Sequence, residues 1–246
     1  MKIAIMTQPL GRNYGGIMQA YALQKVLKDM GHEVVTITHH SPAKSALYNL
    51  ARLGFRLLKK ATGKRKQPVN FEKHYGYIFK DTQAFVDQHI TQSEYIDNDA
   101  ALKAHFAKHN YDAVIVGSDQ TWRPMYSPNI YSYYLDFLEH DTKIKKIAYA
   151  SSFGVDTWEY SAQQTRRCAE VAKLFDASSV REQSGVDLCS KYLGVESECV
   201  LDPTLLLDKE DYLALIGDRY KGEQGQGVFT RSEERRVGKE CRSRWS

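Results

Sequence analysis

Within its first 38 residues the chain spells out a complete strand–helix–strand unit. Lys2 to Thr7 is a short, mostly apolar run, followed by a polar, glycine-bearing loop from Gln8 to Gly16. Ile17, Ala20, Tyr21, Leu23, Gln24 and Leu27 then recur near helical spacing, Gly31 supplies the stop, and Glu33 to Thr38 is rich in β-branched residues. Two strands joined by a helix of this length pair in parallel through a right-handed crossover. Four more strand candidates follow: Ala113 to Val116, Lys146 to Ser151, Ala177 to Val180 and Glu198 to Leu201. Helical patterns at Asp99 to Lys108, Tyr160 to Phe175, Gly185 to Leu193 and Lys209 to Ile216 separate and follow them. Strands alternating with helices in this way predict an α/β fold built on a doubly wound, mostly parallel sheet.

In such sheets ligands bind outside the carboxyl ends of the strands, so the residues just after each strand carry the functional expectation. The all-apolar run Ala113 to Val116 reads as a strand buried on both faces, and it opens into Gly117, Ser118, Asp119, Gln120, Thr121 and Trp122. A carboxylate, an amide and an indole at that edge read as site equipment, against the alternative of a turn that Asp119 merely caps. The first loop, Gly11 to Gly16, is neither G-x-G-x-x-G nor a P-loop, which disfavours nicotinamide dinucleotides and P-loop NTP hydrolysis. Gly15 and Gly16 at a helix start nevertheless leave backbone N–H groups open to an anion, and Arg12 can add a forked contact. Ser151, Ser152 and Gly154 end another strand with small residues that permit close approach of a ligand. Arg181 stands at a strand end directly before a helix, either as an anion fork or in a salt bridge to Glu182 or Asp176. Asp202 before Pro203 reads as a turn opener.

Composition narrows the class. A hydrophobic content of 42% with 26% charged residues is that of a soluble globular protein, and no run is long enough to span a membrane. Met1 leads straight into strand-like sequence without a signal-peptide pattern, so a cytoplasmic location is expected. Cys168, Cys189, Cys199 and Cys241 show neither a zinc spacing nor a disulfide framework, and no metal is expected. Of the formal charge of +4, residues 231–246 carry +3. That stretch lacks an apolar period and resembles the translation of a sequencing-library adapter, so the natural frame is expected to end near Thr230 and the tail to be disordered. Without it, the charge offers no case for nucleic acid.

Residues 41–110 read as a helical insertion, with helices at Ser45 to Lys60 and Phe71 to His89 around a polar break. Between Glu33 and Glu72 there is no acidic residue, while Arg52, Arg56, Lys59, Lys60, Lys64, Arg65 and Lys66 interleave with leucines. Such a helix is either a solvated one packed on the domain or a peripheral contact with an anionic membrane through residues 45–66.

Taken together, five segments resemble the polysaccharide pyruvyl transferase family: Asn13 to Leu23, Gly117 to Trp122, Ala148 to Gly154, Ser179 to Gly185 and Val200 to Leu207. They stand in family order between residues 2 and about 217. The resemblance implies a glycosyltransferase-B-like pair of Rossmann-like halves. This chain would supply the N-terminal half (1–217), the start of a linker (218–230) and the non-native tail (231–246), and be inactive alone.

It further implies transfer of pyruvate from phosphoenolpyruvate, a co-substrate rather than a cofactor, to hydroxyls of a cell-surface polysaccharide or its lipid-linked precursor, closing a ketal. No cofactor is implied. A lipid-linked acceptor would bring the protein to the inner membrane face. Asp119 is the expected base. Arg12, Gly15, Gly16 and Arg181 are expected at the anionic donor, and Asn13, Ser118, Gln120, Ser151 and Ser152 beside the substrates. Trp122 is expected to stack on a sugar. The competing readings are a nucleotide-sugar glycosyltransferase and a non-catalytic half-domain that binds a glycan or a protein.

Overall fold

The structure, a computed structural model, describes residues 1–11, 13–64 and 68–217. Seven strands form one sheet: β1 (Lys2–Met6), β2 (Glu33–His39), β3 (Gln92–Ile96), β4 (Ala113–Val116), β5 (Lys145–Ser151), β6 (Ala177–Val180) and β7 (Glu198–Cys199). Every neighbouring pair is parallel, and the spatial order is β3-β2-β1-β4-β5-β6-β7. The chain builds outward from β1 to β3, returns to lay β4 against the free side of β1, and then builds outward the other way. The switch point of this doubly wound, Rossmann-like sheet therefore lies between β1 and β4.

The helices are α1 (Tyr14–Asp29), α2 (Ala46–Ala61), α3 (Tyr75–Ile78), α4 (Lys80–His89), α5 (Asp99–His109), α6 (Ala162–Ala172), α7 (Gln183–Leu188) and α8 (Lys209–Ile216). Residues Met1–Asp208 form one compact unit, and α8 belongs to a second unit that begins at Lys209. The linker and tail expected at 218–246 lie outside the described residues. Those that are described build one doubly wound sheet; the facing half of a glycosyltransferase-B-like pair remains an expectation.

Alternation along β1 and β4 explains why β4 is apolar throughout and β1 is apolar from Ile3 onward. Ile3, Ile5, Ala113 and Ile115 pack with Leu23 of α1 and Val34 of β2 on one face of the sheet. Ala4, Met6, Val114 and Val116 pack with Leu102 and Phe106 of α5 in the larger cluster on the other. Burying a strand on both faces favours apolar residues at successive positions. The register Ile3 to Ala113 through Met6 to Val116 brings both strands to an end at the same level.

Three features differ from the sequence reading. β3 was not expected. As an edge strand with only Ile96 buried, its Gln-Ser-Glu-Tyr-Ile sequence carries little apolar signal. The single helix expected over Phe71 to His89 is instead a 3₁₀ turn (Phe71–His74), α3 and α4, broken at Phe79. Gly76 and the aromatic run around it are weak helix formers. The helix after β6 ends in a π turn over Cys189–Leu193, closed by Gly194 at φ 64. Among the described residues no helix is long and apolar enough to cross a membrane.

Candidate functional site

The carboxyl ends of β1 and β4 open onto a cleft of about 790 Å³ whose lining includes Gln8, Asn13, Gly16, Asp119, Gln120 and Tyr126. Each side chain is held there by a local reason. At Gly117, φ is 132, and a Cβ would run into the Tyr149 carbonyl oxygen of β5, so only glycine lets the chain leave β4 here. Its peptide bond to Ser118 is cis. Asp119 follows in the left-handed region at φ 57, a conformation that aspartate tolerates better than most residues. Its backbone is fixed by the Ser152 N–H, which donates to the Asp119 carbonyl at 3.0 Å. Non-glycine residues held in this region gather at functional sites.

Asp119 is only 8% exposed, and its carboxylate lies against the start of α1. Gln120 N–H donates to its Oδ1 at 2.8 Å, and Asn13 Nδ2 donates to its Oδ2 at 3.3 Å. Asn13 occupies the N-cap position of α1 but makes no side-chain bond to its own helix; it reaches across to Asp119 instead. Gly16 makes the approach possible, since a Cβ there would lie 2.7 Å from Asp119 Oδ2. Gly15, exposed, precedes it in the first turn, where backbone N–H groups have no partner within the helix.

Behind the carboxylate stands a charged network. Arg181 Nη2 lies 4.0 Å from Asp119 Oδ1, while its Nε donates to Glu182 at 2.9 Å and its Nη1 to Asp202 at 3.1 Å. Asp202 also accepts from Gln19 of α1 and from the Thr204 N–H (3.0 Å), so it caps its turn and ties the loop after β7 to the first helix. Burial pushes the Asp119 carboxyl above the usual aspartate range and Asp202 adds to this, while the Gln120 N–H, Arg181 and Asn13 pull against it. A carboxyl group so placed can take a proton and give one back. Burial holds the Tyr133 phenol neutral beside it, donating to the Thr7 carbonyl at 3.0 Å.

The residues anticipated from sequence part ways in the structure. Asn13, Gly16, Asp119 and Gln120 line the cleft. Ser118, Ser151 and Ser152 are wholly buried. Ser151 Oγ donates to the Val116 carbonyl at 3.0 Å and Ser152 Oγ to Glu182 at 2.8 Å, so they brace the shelf rather than face a substrate. Trp122 requires correction. Its indole is 1% exposed, stacks on Tyr134 at 5.0 Å and donates through Nε1 to the Tyr133 carbonyl at 3.1 Å. No face is left for a sugar. Arg181 is engaged by carboxylates as it stands, which realises the expected pairing with Glu182 and adds Asp202; Asp176 pairs with Lys145 instead. Arg12 lies outside the described residues.

Tyr126, 52% exposed on the cleft wall under the guanidinium of Arg123, was missed by the sequence reading. Arg123 is in turn forked to Glu159 at 2.8 and 3.0 Å. Two prolines and an aromatic after the strand end, Arg-Pro-Met-Tyr-Ser-Pro at 123–128, were the available signal for a stiff, ligand-facing loop.

The polysaccharide pyruvyl transferase family model matches residues 13–234. The chain belongs to that family. Its match takes in Asn13, Asp119, Arg181 and Asp202, the groups that converge on the cleft. No curated protein matches the chain in sequence. Among solved structures, a deacetylase triple mutant from a teicoplanin biosynthetic pathway is similar at 10% identity and a TM-score of 0.38, over 78% of this chain and 85% of that one.

One group of metal-donor side chains occurs among the described residues, at Glu94, His105 and His109. His105 already places Nδ1 2.8 Å from Glu94 and Nε2 2.9 Å from the Tyr111 hydroxyl, a hydrogen-bonded chain that spends both ring nitrogens. Its pairing with His105 holds Glu94 below the usual range, and burial lowers His109.

Proposed function

We propose that this polysaccharide pyruvyl transferase family member moves the pyruvyl group of phosphoenolpyruvate onto hydroxyls of a cell-surface polysaccharide or its lipid-linked precursor. The observation that carries the reading is the Asp119 carboxylate, buried and raised in pKa, set against the N-terminus of α1 in the switch-point cleft. Family membership supplies the reaction class, and the cleft supplies groups suited to it.

Phosphoenolpyruvate needs its methylene carbon protonated, which makes C2 electrophilic. An acceptor hydroxyl then forms a C–O bond at C2 and gives up its proton, and the C2–O bond to phosphate breaks. A second hydroxyl adds at C2, losing its own proton, and the ketal closes. Asp119 is the group to take the hydroxyl proton, and Asn13 and the Gln120 N–H hold it in place. The donor's phosphate and carboxylate fit the open N–H groups at Tyr14, Gly15 and Gly16, aided by the helix dipole, with Arg12 adjoining in sequence. Arg181 acts as a positioning residue that favours the ionised form of Asp119. Tyr126 takes the sugar-contact role first assigned to Trp122.

A product assay tests this reading. Incubation with phosphoenolpyruvate and acceptor glycan should release inorganic phosphate in step with glycan-bound pyruvate. Turnover of a nucleotide sugar with release of a nucleoside diphosphate, and none with phosphoenolpyruvate, would assign the cleft to glycosyl transfer.

A further inference from the structure

The helix α2 leaves its apolar face uncovered. At about 100° per residue, Leu47, Leu50, Leu53, Leu57 and Leu58 share one broad face with Gly54 and Ala61. Arg52, Arg56 and Lys59 occupy the opposite one with Tyr48 and Phe55, and Lys60 lies at the edge beside Leu53. A globular protein normally buries the apolar side of such a helix. Here no α2 residue is buried, and Leu47, Leu50, Leu57 and Leu58 are 77%, 66%, 54% and 63% exposed. The side that makes contacts is the basic one, where Arg52 and Arg56 both pair with Glu72 of the following 3₁₀ turn. Arg56, alone among the helix residues, is partly sheltered; it forks to Glu72 and donates to the Val69 carbonyl at 3.2 Å.

We infer that α2 is an interfacial helix that seats this protein on an anionic bilayer. Its centre is tied by Arg56 to the 3₁₀ turn Phe71–His74, its leucines are uncovered, and Lys60, seven residues on from Leu53, stands at a border of the apolar face. A helix laid flat buries such a face about 5–10 Å into the headgroup boundary, while lysines at the borders reach the phosphates. Its 16 residues give a contact about 24 Å long. Charge complementarity selects the occupant: between Glu33 and Glu72 the sequence holds eight lysines and arginines and no acidic residue. Nucleic acid would use the charge but leave the leucines in water. The chain enters this segment from the carboxyl end of β2, the same sheet edge onto which the Asp119 cleft opens. A protein docked through α2 would thus hold that edge near a membrane-borne acceptor. The inference goes beyond the transferase reading and does not depend on it.

Flotation of the full chain with vesicles tests it without phosphoenolpyruvate or glycan. Binding is expected to phosphatidylcholine vesicles containing phosphatidylglycerol, to weaken with salt, and to be weak on phosphatidylcholine alone. The double substitution Leu50→Asp/Leu57→Asp should cut binding at least about tenfold, and Lys59→Glu/Lys60→Glu should do so selectively on anionic vesicles. Both variants alter exposed side chains, and thermal melts matching the wild type would show the fold intact. Absence of flotation, equal binding to neutral vesicles, or unchanged binding of the leucine variant would overturn the proposal. So would a vesicle-free dimer that the leucine substitutions dissociate, which would assign the face to a second copy.

Discussion

Asp119 and Trp122 sit three residues apart at the end of one strand and do opposite things. The carboxylate is buried but faces the cleft; the indole is buried and faces the core. Trp122→Ala should therefore cost about 3–5 kcal/mol in urea unfolding. A surface residue with only a ligand-stacking role would change stability by within about 0.5 kcal/mol. Tyr126→Ala should do the reverse, leaving the unfolding curve in place while KM for the glycan rises by up to about tenfold, the worth of one aromatic contact. The pH profile bears on Asp119 directly. A base must be ionised, so kcat/KM should fall as pH drops through a carboxyl pKa raised above the usual aspartate value. Arg181 favours the charged form, so Arg181→Met should move this acid limb to higher pH. A limb that stays put or moves down would separate Arg181 from Asp119.

At the scale of elements, the site depends on how α1 is clamped. Gln24, wholly buried in that helix, donates to Thr36 Oγ1 of β2 and to the Thr91 carbonyl, both at 2.9 Å, and accepts from the Thr91 N–H at 2.8 Å. One amide thereby joins α1, β2 and the entry to β3. Gln24→Leu would keep the volume but take the partner from the Thr91 N–H and from the buried Thr36 hydroxyl, costing about 1–3 kcal/mol in chemical denaturation. These elements also show what the sequence makes legible. β1 from Ile3 onward and all of β4 declare themselves because burial on both faces selects apolar residues, and the alternation of strands and helices then dictates the parallel sheet. β3 stays hidden because an edge strand can be polar, and the fold tolerates Gln92, Ser93 and Glu94 there. That Asn13 and Asp119 share a sheet edge follows from topology. Their hydrogen bond across 106 residues does not, and neither does the inward rotation of Trp122, since both are set by how loops pack.

For the molecule as a whole, the order β3-β2-β1-β4-β5-β6-β7 brings segments from 13–23, 117–122, 148–154, 179–185 and 200–207 to one sheet edge. The groups nearest the cleft are an ionisable carboxylate and a helix N-terminus, suited to a hydroxyl proton and an anionic donor. The account turns on Asp119, and the rate of glycan-dependent phosphate release from phosphoenolpyruvate tests it most directly. Asp119→Asn keeps the shape and removes the base, so with an unchanged circular dichroism spectrum the rate should fall by about 10²-fold or more. A variant that releases phosphate at the wild-type rate would contradict the account and reduce Asp119 to a structural residue of the turn after β4.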